Sequence, residues 1–170
     1  IVCNHVSYMD ALILGGAIPR PTRFVMYYKI FQIPVASWFF KTARAIPIAG
    51  AKEDPDLMQK AFDEVDRALA DGEIVGIFPE GKLTTDGEIA EFKSGVEKIL
   101  ARRAVPVVPI ALKGMWTSMF SKRDSKLGRL RLPRRIRADI EVEAGQPVSA
   151  TEATAEILEA KVKTLRGNRA

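Results

Sequence analysis

Two residues near the start of the chain have side chains suited to proton transfer. His5, the only histidine, stands five residues before Asp10. The two side chains can meet if His5 lies in a strand-to-helix turn and Asp10 in the first helical turn, with Ser7 as the N-cap. The carboxylate would then hold one imidazole nitrogen, and the other nitrogen could take a proton from a substrate hydroxyl. A capping box, in which Asp10 only satisfies backbone N–H groups, is the alternative.

A second polar turn, residues 78–85, follows an apolar strand-like segment. Gly81 permits close approach of the backbone, Lys82 offers a positive charge to a phosphate, and Thr84 adds a hydroxyl. Alone, this turn is typical of an ordinary loop. Because ligands bind at the carboxyl ends of parallel strands, two polar turns that follow strands predict one shared site at that edge.

The elements that position these turns alternate between strand-like and helix-like patterns. This alternation predicts a largely parallel mixed sheet with helices on both faces. The clearest helix is 55–71, where Asp54 suits the N-cap and Gly72 the position past the end. The remaining helices are predicted at 7–15, 30–44, 94–103 and in a last segment before Gly167, and the strands at 1–3, 23–28, 45–49, 73–78, 105–112 and 136–143.

Finer details follow from capping and proline patterns. Two residue pairs have the spacing of a capping box at a helix start: Ser94 with Glu97 and Ser149 with Glu152. Pro106 and Pro109 fall within the strand predicted at 105–112. Since proline cannot donate to a sheet, they indicate an edge strand or a bulge.

Length and composition are typical of one globular domain. The chain has 170 residues, of which 47% are hydrophobic and 28% are charged, so a single domain spanning 1–170 is expected. One cysteine and one histidine exclude an internal disulfide and a Cys/His zinc cluster, and no bound metal or cofactor is expected. Cys3 as an acyl-accepting nucleophile is disfavoured, because a cysteine in an apolar strand usually serves packing.

Two surfaces suggest anionic or membrane partners. Residues 122–137 carry eight basic side chains against Asp124, a net +7 that leaves −2 for the rest of the chain. Lipid headgroups or the phosphates of a carrier would suit this basic strip, and a solvated loop is the alternative. An apolar segment rimmed by Lys29, Lys41 and Arg44 suits a membrane interface, with a core helix as the alternative; it contains Phe31, Ile33, Val35, Trp38, Phe39 and Phe40.

Three segments in order resemble sequence blocks of the glycerolipid acyltransferase family, which includes bacterial 1-acyl-glycerol-3-phosphate acyltransferases. They are Asn4-His5 with Asp10 (the HX4D motif), Phe78-Pro79-Glu80-Gly81, and residues 105–112, and the resemblance covers 1 to about 150. It implies an O-acyltransferase of phospholipid synthesis or remodelling. His5 would be the general base on a glycerol hydroxyl, and Asp10 would orient it. The co-substrate would be an acyl-CoA or acyl-carrier protein thioester, without a covalent enzyme intermediate.

The resemblance also implies a substrate-binding set: Asn4, Ser7, Lys52, Phe78, Pro79, Glu80, Gly81, Lys82, Thr84 and Pro109. Glu80 and Gly81 would serve acceptor binding and site geometry, and Pro109 the acyl-donor side. Residues 46–52 lack the arginine that usually binds the acceptor phosphate, a role that Lys52 could take. The run 78–87 is most similar to the branch that reacylates lysophospholipids such as 2-acyl-glycerophosphoethanolamine. A lysophospholipid is therefore the expected acceptor, with 1-acyl-glycerol-3-phosphate or glycerol-3-phosphate as the alternative.

The expected partners are the lysophospholipid, an anionic membrane surface and an acyl-carrier protein, without nucleic acid. No apolar run reaches the roughly 20 residues of a membrane-spanning helix. The chain begins with Ile in a strand-like segment, so we expect part of a longer membrane-associated protein. It would lie at the cytoplasmic face, peripherally or as a domain of a membrane protein. A polyanion- or membrane-binding module without chemistry is the non-enzyme alternative.

Overall fold

A computed structural model describes residues 1–7, 9–115 and 139–168, with all side chains in those ranges except residues 35 and 36. The basic strip, residues 122–137, lies outside the described residues. The helices are α1 (Asp10–Ala17), α2 (Pro34–Thr42), α3 (Pro55–Ala70), α4 (Gly95–Arg102) and α5 (Ala155–Arg166), with a 3-10 helix at Tyr28–Gln32. The strands are β1 (Val2–Cys3), β2 (Thr22–Tyr27), β3 (Ile46–Ile48), β4 (Ile74–Gly76), β5 (Pro109–Lys113) and β6 (Glu141–Ala144).

The described strands form a mixed sheet in the order β3-β2-β4-β1-β5-β6. Two three-stranded halves, β3-β2-β4 and β1-β5-β6, meet where Val2 forms a parallel bridge with Ile77. Across this seam Cys3 N donates to Ile77 O at 3.2 Å, and Ile77 N donates to Ile1 O at 3.1 Å. All pairings are parallel except that of β6 with β5. The predicted α/β fold with a largely parallel sheet is confirmed.

Helices cover both faces of the sheet, because successive strand residues point to opposite sides. Val2 and Ala111 pack under α4 and α5, while α3 covers the neighbouring strands on the same face. Cys3, Ile110 and Leu112 face the other way, toward α1 and α2. On that second face Gly76 leaves room for Phe24, whose ring would lie 2.5 Å from a Cβ at that position. The two layers hold the carboxyl ends of five parallel strands at one edge.

The strand prediction at 105–112 is wrong in two respects, since β5 begins only at Pro109 and is not an edge strand. It lies between β1 and β6. Pro109 is tolerated because it is the first residue of β5, and its carbonyl accepts from Gly145 N at 2.8 Å. Pro106 precedes the strand.

Two predicted helix caps are wrong in position, and a third lacks its predicted side-chain bond. Helix α1 begins at Asp10 with Met9 as its N-cap, so Ser7 lies outside the helix. Ser94 is the N-cap of α4 but makes no side-chain capping bond. Helix α5 is capped by Thr154, whose hydroxyl accepts from Ile157 N, and not by Ser149. The prediction for α3 is confirmed, with the Asp54 carboxylate accepting from Leu57 N at 2.8 Å.

Candidate active site

The two polar turns lie side by side at the carboxyl edge of the sheet. β1 ends at Cys3, two residues before His5, and β4 leads through Ile77 into the Glu80 turn. The backbone of Thr84 donates to His5 O at 3.0 Å. Two segments far apart in the sequence are thereby held in direct contact.

Asp10 holds the His5 ring in one orientation. Nδ1 of His5 lies 2.9 Å from Asp10 Oδ2, and the same oxygen accepts from Val6 N at 2.7 Å and Ser7 N at 2.9 Å. The carboxylate is fully buried. The Asp10 carboxylate therefore has both of the roles considered from the sequence, because it accepts from backbone N–H groups and also binds the imidazole. With Nδ1 engaged, Nε2 is the nitrogen left for a substrate.

Phe78 supports the imidazole from its face. The two ring centroids are 4.2 Å apart and the planes differ by 19°. Phe24 stacks in turn on Phe78 at 5.9 Å. The His5 side chain keeps 19% of its surface exposed, so the ring is held on one side and remains accessible.

Glu80 connects the His5 turn to the segment before α4. Oε1 accepts from His5 N at 2.7 Å, and Oε2 accepts from Ala90 N at 2.8 Å. The side chain is 1% exposed, and burial raises the pKa of its carboxyl above the usual range. Both oxygens serve backbone donors, which supports the predicted part of Glu80 in site geometry.

Gly81 makes the turn possible and places a cation beside it. Its φ of +66° is readily adopted only by glycine. A Cβ at Gly81 would lie 2.7 Å from Lys93 Nζ, and Lys93 N donates to Pro79 O at 3.0 Å. The exposed side chains of Lys82 and Lys93 make no ion pair within the described ranges. Sequence reasoning missed Lys93, since only the pairing of its backbone with Pro79 brings it to the turn.

Several residues of the predicted substrate-binding set are engaged within the protein. Asn4 accepts from Leu112 N at 2.8 Å and donates to Leu112 O at 3.0 Å, tying β1 to β5. The buried Thr84 hydroxyl donates to Glu88 O at 2.8 Å and accepts from Gly87 N. Ser7 Oγ accepts from Met9 N at 3.1 Å. Their contact with substrate stays a prediction.

Pro109, Lys52 and Cys3 make no side-chain hydrogen bond or ion pair with His5 within the described residues. Pro109 is fully buried in β5. Lys52 is exposed in the loop after β3. Cys3 is buried, and burial raises the pKa of its thiol well above the usual value. A nucleophilic thiolate is thereby disfavoured.

The loop after β3 also carries an exposed carboxylate, that of Glu53. Glu53 accepts from the hydroxyls of Tyr27 at 2.8 Å and Tyr28 at 3.0 Å, and it pairs with Lys29 at 2.9 Å. The hydrogen bond from Lys29 lowers the pKa of Glu53. The Glu53 carboxylate is therefore ionised near neutral pH, and it lies beside the end of β2.

A cavity of about 590 Å³ lies beside the Glu80 turn. Its charged lining comprises Glu80, Lys82, Glu91, Lys93, Glu97, Glu156 and Glu159. His5 and Asp10 are not in its wall. Within the described ranges no cluster of three or more His, Cys, Asp or Glu side chains could hold a metal ion. In the same part of the chain no helix is long and apolar enough to cross a membrane.

Comparison with known proteins identifies related sequences. A family model described as Acyltransferase matches residues 1–113. The chain is 33% identical over 113 residues to 1-acyl-sn-glycerol-3-phosphate acyltransferase BAT2, chloroplastic, of Brassica napus, covering 66% of this chain and 32% of that protein. It is 30% identical over 115 residues to 1-acyl-sn-glycerol-3-phosphate acyltransferase of Bacillus subtilis, covering 67% and 55%. N-acylphosphatidylethanolamine synthase of Arabidopsis thaliana is 32% identical over 121 residues, covering 65% and 41%.

A solved structure shares the fold. The crystal structure of the 1-acyl-sn-glycerophosphate (LPA) acyltransferase PlsC from Thermotoga maritima superposes with a TM-score of 0.71 at 21% identity, covering 96% of this chain and 62% of that one. The chain spans between about a third and just over half the length of the three curated relatives named above. These names agree with the predicted O-acyltransferase of phospholipid metabolism, and they favour the alternative acceptor over the lysophospholipid branch.

Proposed function

The chain belongs to the acyltransferase family, and on that premise we propose that it acylates the free glycerol hydroxyl of 1-acyl-glycerol-3-phosphate. The observation that carries the proposal is the 2.9 Å contact between His5 Nδ1 and the buried Asp10 carboxylate. An imidazole held in this way is a suitable general base for a hydroxyl nucleophile. The donor is the thioester of acyl-CoA or of an acyl-carrier protein.

The chemistry follows from the tautomer that Asp10 fixes. With its proton on Nδ1, His5 offers the Nε2 lone pair to the acceptor hydroxyl. As the proton moves to Nε2, the hydroxyl oxygen attacks the thioester carbonyl; the new C–O bond forms and the C–S bond breaks. Asp10 stabilises the imidazolium formed, which returns its proton to the departing sulfur. A thiol leaves readily because its pKa is about 8.5.

The acceptor phosphate would be met by the cations beside Gly81. Lys82 and Lys93 are both exposed, and Nζ of Lys93 lies over the turn. A lysine ammonium is a strong partner for a phosphate dianion. The relatives named for 1-acyl-sn-glycerol-3-phosphate add support for this acceptor.

A lysophospholipid with an ammonium headgroup is the second candidate acceptor. Residues 46–52 contain no arginine, and the neighbouring Glu53 presents a carboxylate bound by Tyr27 and Tyr28. A phosphodiester carries less charge than a phosphomonoester and needs fewer cations, while a carboxylate among aromatic rings suits an ammonium group.

An acyl-transfer assay with one donor and a panel of acceptors tests both candidates. We expect the highest kcat/KM with 1-acyl-glycerol-3-phosphate, compared with lysophosphatidylethanolamine, lysophosphatidylcholine and glycerol-3-phosphate. Lys93→Gln should raise the KM for the phosphomonoester about tenfold, as expected for a lost charged hydrogen bond. Lys98→Gln, an exposed lysine on α4, is the matched control. Preference for lysophosphatidylethanolamine, with Lys93→Gln unaffected, would favour the second candidate.

His5→Ala and Asp10→Asn test the chemistry itself. Loss of a general base should lower kcat by at least about 10²-fold, and Asp10→Asn should lower it by holding the wrong tautomer. Circular dichroism must show that both variants remain folded. Full activity of His5→Ala would refute the base assignment. Vesicle or polyanion binding without any acyl transfer by the wild type would instead favour the non-enzyme alternative.

A further inference from the structure

The segment from the end of β2 to α2 carries most of the exposed large hydrophobic side chains of the described structure. Among the described residues five large hydrophobic side chains are exposed: Tyr27 (41%), Ile33 (56%), Trp38 (72%), Phe39 (41%) and Ile157 (41%). Four of them fall in residues 27–39, around the 3-10 helix and α2. We refer to Ile33, Trp38 and Phe39 as the α2 face. A clustered apolar patch marks an interaction surface, whereas the single Ile157 on α5 does not.

The α2 face is continuous with the apolar layer behind His5. Phe40, on the same helix, is buried and contacts both Phe39 and Phe31. Phe40 belongs to the buried cluster that contains Phe24, and Phe78 packs against that cluster. Phe78 in turn stacks on the imidazole. The sequence left two alternatives for this segment, a membrane interface and a core helix. Phe40 lies in the core, whereas the α2 face is exposed.

The charge of the surrounding sequence has one sign. Residues 11–52 contain six basic side chains and no Asp or Glu. Arg23, Arg44 and Lys29 form ion pairs with carboxylates from later segments. Lys41, the only charged residue between Ile30 and Ala43, is exposed on α2 and has no ion pair within the described part of the chain.

We propose that the α2 face docks on a lipid bilayer that contains anionic lipids. Trp38 and Ile33 would enter the headgroup layer, and Lys41 would meet lipid phosphates. Tryptophan on an amphipathic helix beside a lysine suits this interface. A second copy of the chain fits less well, because two segments of the same positive sign would repel. The proposal rests on the proposed function only in that docking would bring a lipid acceptor to His5.

Vesicle co-sedimentation without acyl donor tests the docking directly. The vesicles are phosphatidylcholine alone, or phosphatidylcholine and phosphatidylglycerol in equal parts. Trp38→Ser and Ile33→Ser should each weaken binding to the mixed vesicles, Trp38→Ser by about tenfold given its exposed apolar area. Lys41→Gln should weaken binding to mixed vesicles about fivefold and leave binding to phosphatidylcholine unchanged. Ile157→Ser, which removes an exposed isoleucine on α5 away from the α2 face, is the control for Ile33→Ser and should bind as wild type.

Two further readouts separate the outcomes. In Trp116→Phe the remaining tryptophan is Trp38, and its emission should shift to the blue on mixed vesicles. With a short-chain, water-soluble acceptor Trp38→Ser should keep wild-type kcat/KM, while activity on vesicle-borne acceptor should fall with binding. The proposal would be overturned if Trp38→Ser bound vesicles as well as wild type, or if the wild-type chain did not bind mixed vesicles. Self-association that depends on Trp38, without vesicle binding, would also overturn it. Absence of acyl transfer to either acceptor would instead refute the proposed function.

Discussion

At the scale of single residues, the site depends on two buried carboxylates that bind backbone N–H groups. Asp10 holds the N–H groups of Val6 and Ser7 as well as the imidazole. Glu80 holds the N–H of His5 and of Ala90. His5 is thus fixed at its ring by one carboxylate and at its backbone by the other. Such double support gives the positional precision that the proposed general-base role of His5 would require.

Glu80→Gln tests whether Glu80 positions His5 or contacts the acceptor. A glutamine accepts only one of the two N–H groups, so His5 should shift, and kcat should fall about tenfold or more while the acceptor KM changes little. Steady-state kinetics at several acceptor concentrations measure the split. A rise in KM at unchanged kcat would place Glu80 on the acceptor instead.

The same substitution should change the pH dependence of stability. Because burial raises the pKa of Glu80, its contribution to folding is fully present below the unfolded carboxyl pKa, about 4.3. That contribution is lost as the pH rises through the higher folded value. The stability of wild type relative to Glu80→Gln should therefore decrease from acidic to neutral pH, as measured by urea unfolding.

At the scale of elements, local sequence signals predicted helix ends correctly where no residue distant in the sequence binds the capping side chains. Helix α3 begins and ends as its Asp54 cap and Gly72 predict. The capping box at Ser94 fails because the Glu97 carboxylate accepts from Ala155 N, 58 positions away, at 2.9 Å. The prolines at 106 and 109 favoured an edge position for strand β5, yet β6, which comes later in the sequence, pairs with it. The pairing of His5 with Asp10 was predictable because it is local, whereas the approach of Lys93 to Gly81 depends on tertiary contacts.

Removal of each cap should separate these cases. Asp54→Ala should lower the free energy of unfolding by about 1 kcal/mol, since its carboxylate caps Leu57 N. Ser94→Ala at the N-cap of α4 is the matched control. Because the Ser94 side chain makes no capping bond, this substitution should change the free energy of unfolding by less than about 0.5 kcal/mol. Urea unfolding measures both. Equal losses would contradict the structural assignment of the caps.

At the scale of the whole molecule, one arginine joins three separate parts of the chain. Arg23 on β2 donates to Glu64 on α3 at 2.7 Å, to Glu73 before β4 at 3.0 Å, and to Arg44 O at 2.8 Å. Its side chain is only 11% exposed. Hydrogen bonds from Arg23 lower the pKa of both carboxyls. The network locks α3 to the sheet on the side away from the His5 turn.

Arg23→Gln should lower the free energy of unfolding by about 2 kcal/mol at neutral pH, since charged hydrogen bonds are lost. Both partner carboxyls have folded pKa values below the unfolded one, so this contribution is present above about pH 4.3 and is lost on acidification. The wild type and variant should therefore converge in acid. Arg67→Gln, whose side chain is 72% exposed, is the control and should cost less than about 1 kcal/mol. A constant difference at all pH values would contradict this account.

The position of β1 between β4 and β5 has a consequence for the order of folding. His5 receives its Glu80 partner from 75 positions further along, and Asn4 is held by Leu112 from 108 positions away. Contacts of such sequence separation form slowly, because the loop between them must close first. His5 is therefore synthesised before both strands that flank β1, and its hydrogen-bonded surroundings are complete only when the last of those strands has docked.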